Sequence, residues 1–230
     1  MTLAEEADAA DRRKSGGVYE RLREDIVAGL LAPGQKIKPK QYAPRYAASA
    51  AAIREALLRL AAEGFVESAP QRGFRTLKPS AESVWEIAHF RILIESEGAR
   101  LSILNGGVDW EANLTAAHHR LSHLEARMRG EALNREQLRY WSGCDQIFHV
   151  ALIAACGSNR ILDQHRAIFD QFKQHVIVQD PLLGYRGEDL VEEHGAILTA
   201  ALDRDPAACA AALRSHFETY RRFSDATMTW

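Results

Sequence analysis

No run of this 230-residue sequence approaches the roughly 18 consecutive apolar residues that a membrane span requires. The N-terminus is acidic and alanine-rich, without the basic flank and apolar core of a secretory signal. Cysteine is scarce: Cys144, Cys156 and Cys209 are an odd number with no CxxC spacing. That excludes a disulfide framework and predicts reduced thiols, hence a cytoplasmic protein with no membrane partner. The HExxH pattern of zinc proteases is missing, and no separate catalytic base stands out. What remains is a composition 47% hydrophobic and 26% charged, which is that of a globular protein large enough for one big domain or two modest ones.

Net charge is nearly absent too, at −2, but this sum hides an asymmetry. Residues 12–78 carry 14 Lys and Arg against 6 Asp and Glu, and residues 80–230 carry 15 against 21. A basic N-terminal third joined to an acidic remainder predicts a small anion-binding module on a larger domain of another kind.

In the basic third, Val18, Leu22 and Ile26 fall on one helical face, and "APGQ" ends that helix. A short helix is expected near residues 39–47. Ser49 then caps a helix with Ile53, Ala56, Leu57 and Leu60 as its buried stripe and Gly64 at its end. Two β-prone runs, Phe65–Glu67 and Phe74–Leu77, bracket a Pro/Gly turn and predict a hairpin. Three helices and a hairpin describe a winged helix-turn-helix, with the helix beginning near Ala50 entering the major groove.

"VYERLREDIVAGLLAPGQKI", "IREALLRLAAEGFV" and "QRGF" resemble the DNA-binding domain of GntR-type bacterial transcription regulators over nearly all of residues 17–78. The resemblance implies DNA contacts at Arg54 and Lys40 and a wing glycine at Gly73. Arg45, Ser49 and Arg72 are implied phosphate or groove neighbours. The family usually reads Ser-Arg-Thr-Pro-Val-Arg at the start of the recognition helix, where this chain has Ser49-Ala50-Ala51-Ala52-Ile53-Arg54. A lost Arg–guanine pair is worth about 1–3 kcal/mol of discrimination, so an operator other than the family's common one is expected.

From Ser80 onward strand signals are nearly missing. Helices are expected at 81–104, 109–129, 134–156, 158–178, 186–202 and 205–223, separated by turn-forming segments such as "NGGVD", "CGSN" and "DRDP". The fold class is therefore mainly α: a winged helix-turn-helix at 15–78 behind a disordered tail at 1–14, then an antiparallel bundle of about six helices at 79–230.

Asp145 and His149 stand four apart inside the apolar stretch "SGCDQIFHVAL", one above the other on a helix. His194 and His216 lie on the fifth and sixth bundle helices. One carboxylate and three imidazoles suit a borderline divalent ion: zinc, nickel or manganese. His119 and His123 share the same spacing, and with His118, His165 and His175 they are expected on the surface or satisfied in the core.

"FRILIE", "DQIFH", "GSNRIL", "EEHGAIL" and "RSHF" resemble the FCD effector domain of FadR-like regulators over most of residues 81–222. The resemblance implies metal ligands at Asp145, His149, His194 and His216, and a small carboxylate effector in the open coordination positions. Arg91 either grips that anion or pairs with Glu95 one turn on. Asn159 either touches the effector or caps a helix. The implied function is a homodimeric regulator, most often a repressor, that releases a double-stranded DNA operator when the effector binds. A purely structural or metal-sensing site is an alternative, and a metal-dependent enzyme a more distant one.

Overall fold

The computed structural model describes residues 17–69, 73–78, 80–128, 133–179 and 188–227; Arg72 and the tail at 1–14 lie outside them. The chain divides into two compact units, Met1–Lys78 and Pro79–Trp230.

In the first unit, α1 (Val18–Val27) buries Leu22 and Ile26. The strand β1 (Lys36–Ile37) and a one-turn α2 (Pro39–Tyr42) follow. Helix α3 (Ala50–Ala62) begins at Ser49, whose hydroxyl accepts from the Ala52 N–H at 3.1 Å. Its four buried residues, Ile53, Ala56, Leu57 and Leu60, are the stripe its spacing predicts. Gly64 takes φ +77°, the left-handed turn that ends such a helix without Cβ strain. The wing strands β2 (Val66–Ala69) and β3 (Gly73–Thr76) pair antiparallel, with Ser68 opposite Phe74. β1 pairs along the free edge of β3, giving the order β1-β3-β2. The sequence reading has two strands here, not three. The expected helix at 39–47 closes after one turn, and Ala47 adopts φ 47° before the cap of α3.

Among the described residues, the second unit contains six long helices. They are α4 (Ala81–Asn105), α5 (Val108–Arg127), α6 (Arg135–Ile153), α7 (Asn159–Gln179), α8 (Glu188–Leu202) and α9 (Pro206–Thr227). Reciprocal Ser80–Ser83 and Asn134–Gln137 capping boxes start α4 and α6, satisfying backbone N–H groups that have no partner inside the helix. α6 stops three residues before its expected end, at Ile153, where Cys156 N–H turns back onto the Ile153 carbonyl at 3.1 Å and Gly157 takes φ +71°.

Helix α4 packs against α6, α7 and α9, while α5 packs against α6 and α8. Gly98 permits one of these approaches: a Cβ there would meet Ile153 Cγ2 at 2.8 Å. Trp110 ties α5 to the end of α6 by donating to the Ala151 carbonyl at 3.0 Å. On α6 the buried stripe runs through Leu138, Trp141, Cys144, Phe148 and Leu152. Asp145 and His149 each follow a member of that stripe by one residue, so they share its inward face. All three cysteines are buried and free.

Candidate functional site

Three histidines from three helices converge in the bundle: His149 on α6, His194 on α8 and His216 on α9. Their ligand atoms lie within 4.8 Å of one another, and none of the three is more than 1% exposed. Asp145 joins them. Its Oδ1 is 3.4 Å from His149 Nε2 and 3.2 Å from His194 Nε2. Neither approach is aligned as a hydrogen bond, so both Nε2 atoms are buried without a hydrogen-bond partner. Buried polar atoms are ordinarily satisfied, so two orphaned ring nitrogens beside one carboxylate form a donor set whose chemistry suits a cation.

The opposite edge of each ring is held by a glutamate. His149 Nδ1 meets Glu95 Oε2 at 2.6 Å, His194 Nδ1 meets Glu125 Oε1 at 3.1 Å, and His216 Nδ1 meets Glu193 Oε2 at 2.8 Å. A carboxylate behind a metal-binding imidazole fixes its tautomer and raises its basicity. Glu125 also accepts from Trp141 Nε1 at 3.0 Å, and Glu95 contacts His165 Nε2 at 3.1 Å. The donor set therefore fits a divalent ion: three clustered imidazoles, each oriented from behind by a glutamate, with the Asp145 carboxylate beside two of them.

Charge in this cluster is tightly coupled. Burial opposes ionisation of Glu95, but Arg91 and His149 outweigh it and hold the carboxyl well below its ordinary value. Asp145 is likewise held low against burial, chiefly by the charge of His149. Burial disfavours a charged His194, yet Glu125 and Asp145 push its pKa up to about 9. His149 is raised by Glu95 and Asp145 in the same way. The raised values of His149 and His194 favour protonated rings at neutral pH, so an entering cation must displace protons from those two. Zinc binding at pH 7 is expected to release protons, with affinity climbing about tenfold per pH unit for each proton displaced until pH passes about 9. Calorimetry in buffers of differing ionisation enthalpy measures this; a buffer-independent heat would contradict it.

Arg91, 1% exposed, donates from Nε to Glu95 Oε1 at 2.8 Å, so the pairing with Glu95 is formed. Its guanidinium also lies 4.3–4.8 Å from the ring centres of Phe169, Phe172 and Phe217. Nη2 is buried with no hydrogen-bond partner, which leaves one donor to spare beside the cluster. Asn159 stands apart, exposed at the first position of α7. The cap there is Ser158, whose hydroxyl accepts from the Ile161 N–H at 3.4 Å. His119 and His123 are exposed and His118 half-buried; the side chain of His175 lies outside the described residues. His165 is fully buried and satisfied on one nitrogen by Glu95.

In the first unit, Lys40, Arg45, Ser49 and Arg54 are all exposed, on α2, on the turn after it and along the first half of α3. Arg54 lies with its guanidinium 5.9 Å from the Phe74 ring centre, and Arg45 is engaged by Asp25 at 2.6 Å. Ser49 is committed to its cap. Gly73 opens β3 at φ +79°, where a side chain would be strained although nothing in the protein lies within 4 Å of it. Arg72 falls outside the described residues.

Comparison with known proteins accounts for both units. Residues 14–75 match the bacterial regulatory proteins of the gntR family, and residues 86–219 match the FCD domain. The HTH-type transcriptional regulator BphR of Paraburkholderia xenovorans (strain LB400) is 33% identical over 204 residues, covering 87% of this chain and 81% of that protein. The HTH-type transcriptional repressor GlaR of Escherichia coli (strain K12) is 32% identical over 204 residues, covering 87% and 91%. In fold, a GntR transcriptional regulator from Rhodococcus sp. RHA1 superposes with a TM-score of 0.72 at 20% identity, covering 91% of this chain and 96% of that one.

Proposed function

The chain belongs to the gntR family of bacterial transcriptional regulators and carries an FCD domain, and on that premise we propose that it is a homodimeric repressor of a double-stranded DNA operator whose affinity falls when a small carboxylate binds in the bundle. The observation that carries the effector half is the buried His149/His194/His216 cluster with its two orphaned Nε2 atoms. Asp145 and these three histidines would hold a divalent ion: zinc, nickel or manganese. Bound there, the ion supplies Lewis-acid positions that four protein ligands leave open to a carboxylate. Arg91, paired with the same Glu95 that holds His149, keeps an unpartnered Nη2, a donor suited to an anionic oxygen.

On the DNA side, the first half of α3 presents Arg54 as its one cationic group, exposed beside Ala51 and Glu55. Phosphate contacts by Lys40 and Arg45 add affinity without sequence information. An Arg54→Ala variant is expected to lose about 1–3 kcal/mol of operator discrimination while its bundle melts unchanged. Gel-shift titrations against specific and scrambled duplexes measure this; equal specificity in the two proteins would remove Arg54 from the reading surface. For release, the effector must favour a DNA-incompetent state, by a coupling typically of about 1–3 kcal/mol.

The test of the effector site is a thermal-shift screen of small carboxylates with and without chelator. A ligand at 100 times its dissociation constant stabilises the native state by about 2.7 kcal/mol. At about 2–4 °C per kcal/mol for a domain of this size, the shift is roughly 5–11 °C. A hit abolished by chelation supports the proposal. The near-complete burial of all three histidines favours a second reading, a structural metal. Chelation that destabilises the bundle, with no carboxylate active, would select it.

A further inference from the structure

Helix α4 is apolar on more than its core side. It buries Ala88, Ile92, Ala99 and Ile103, yet Phe90, Leu93 and Leu104 remain 41%, 58% and 64% exposed. A helix apolar on opposite faces is ordinarily covered on both. The exposed residues are also in register. Glu86, Phe90, Leu93, Glu97, Arg100 and Leu104 are all exposed at alternating steps of four and three. That is the seam of a two-helix coiled coil, in which each residue packs between residues of a facing helix.

The order of residue types along the seam identifies the facing helix. Glu97 and Arg100 occupy its centre, paired within the helix at 2.7 Å and exposed on their outer sides. Leu93 lies four residues before Glu97, and Leu104 lies four after Arg100. A two-fold axis through the midpoint of residues 97 and 100 therefore sets Glu97 against Arg100 of a second copy, and Leu93 against its Leu104. Opposite charges meet opposite charges and leucines meet leucines, with no mismatched position in the central four. A parallel pairing in register would instead set Glu97 on Glu97 and Arg100 on Arg100. The antiparallel arrangement also carries Phe90 past the end of the facing helix, toward Val108, which is 78% exposed.

We infer that the Phe90–Leu104 seam of α4 is the surface on which two copies of this chain associate, antiparallel about an axis between Glu97 and Arg100. The inference rests on the homodimer reading and specifies its face. An isologous contact of this kind is self-complementary by construction, since each half of the seam is the partner of the other half.

A charge exchange tests it on the full chain. E97R places arginine against arginine across the axis, and R100E places glutamate against glutamate. Each alone is expected to raise the dimer dissociation constant at least about tenfold by sedimentation equilibrium. Mixed in equal amounts, the two variants should form a heterodimer, because each supplies the charge the other lacks, and the double variant E97R/R100E should dimerise like the parent chain. Loss of helix stability inside one chain cannot produce that rescue by mixing. A second readout uses oxidative cross-linking: L93C mixed with L104C should link, whereas L93C alone should not, and the native cysteines are buried. A parent chain that is dimeric and binds DNA, with both single variants equally dimeric, overturns the seam while leaving the regulator reading intact. A monomeric parent chain overturns both.

Discussion

In the metal-free protein, Glu95→Ala is expected to lower the melting temperature of the bundle by about 6–20 °C. Glu95 is fully buried and meets Arg91, His149 and His165 at 2.8, 2.6 and 3.1 Å. Removing one member of a buried ion pair leaves the other uncompensated, at a cost of about 3–5 kcal/mol. Arg91 is the group left behind, 1% exposed and unable to shed its charge. The melting shift follows at about 2–4 °C per kcal/mol. Glu95→Gln keeps the shape and part of the hydrogen bonding, so it should fall between the parent and the alanine variant. Calorimetry measures both; a shift under about 3 °C for alanine would mean that water or a rearranged partner reaches Arg91. The pH dependence has a definite sign. Glu95 titrates below its unfolded value, so its stabilisation is present at neutral pH and lost as pH falls through the carboxylate range. His194 titrates higher than when unfolded, so its contribution is full below about 6.5 and disappears as pH rises through about 9.

His149→Ala should reduce zinc affinity by more than about 100-fold, since loss of an outer carboxylate partner alone typically costs about 10–100-fold. His149 is the ring most tightly built into the cluster, 2.6 Å from Glu95 behind and 3.4 Å from Asp145 in front. Glu125→Gln, which removes only the charge behind His194, should cost within that 10–100-fold range. The informative control is His119→Ala with His123→Ala. Those residues have the helical spacing of Asp145 and His149, with ring centres 6.2 Å apart, but both are exposed and neither belongs to the cluster. Zinc titration of the three variants measures this. If the control loses the ion and His149→Ala keeps it, the buried cluster is not the metal site.

That contrast shows what could be read before the structure. Spacing alone cannot separate Asp145/His149 from His119/His123. The apolar neighbours Phe148, Val150 and Leu152 around the first pair, against His118 and Arg120 beside the second, carry the difference. His194 and His216 were candidates as histidines on the fifth and sixth bundle helices, and resemblance completed the set, since no local pattern links residues on three helices. Glu95 was legible as a helical neighbour of Arg91, four residues away. Glu125 and Glu193 were not, because their contacts with His194 and His216 cross from one helix to another. Glu125 also sits where its helix reads as an ordinary charged face, in "LEARM". In the winged unit, the hairpin was visible in its β-prone runs and turn. The two residues of β1 were not, because Lys36–Ile37 is too short for any alternation and pairs only where β3 offers an open edge. Helix ends were legible wherever Gly, Pro or a capping Ser marked them, and least so at Ile153, where the apolar "AAC" that follows gives no stop.

The glutamates behind the three rings also bear on exchange. Because each Nδ1 edge is already anchored by the fold, the rings keep their inward aim whether or not an ion is present. Under the proposed reading, one ion could therefore leave and another enter without the helices coming apart, against a barrier of proton displacement and passage through the bundle. A site of that kind would take its occupant from the pool of free ions around it, and its occupancy would then depend on that pool as much as on the chain.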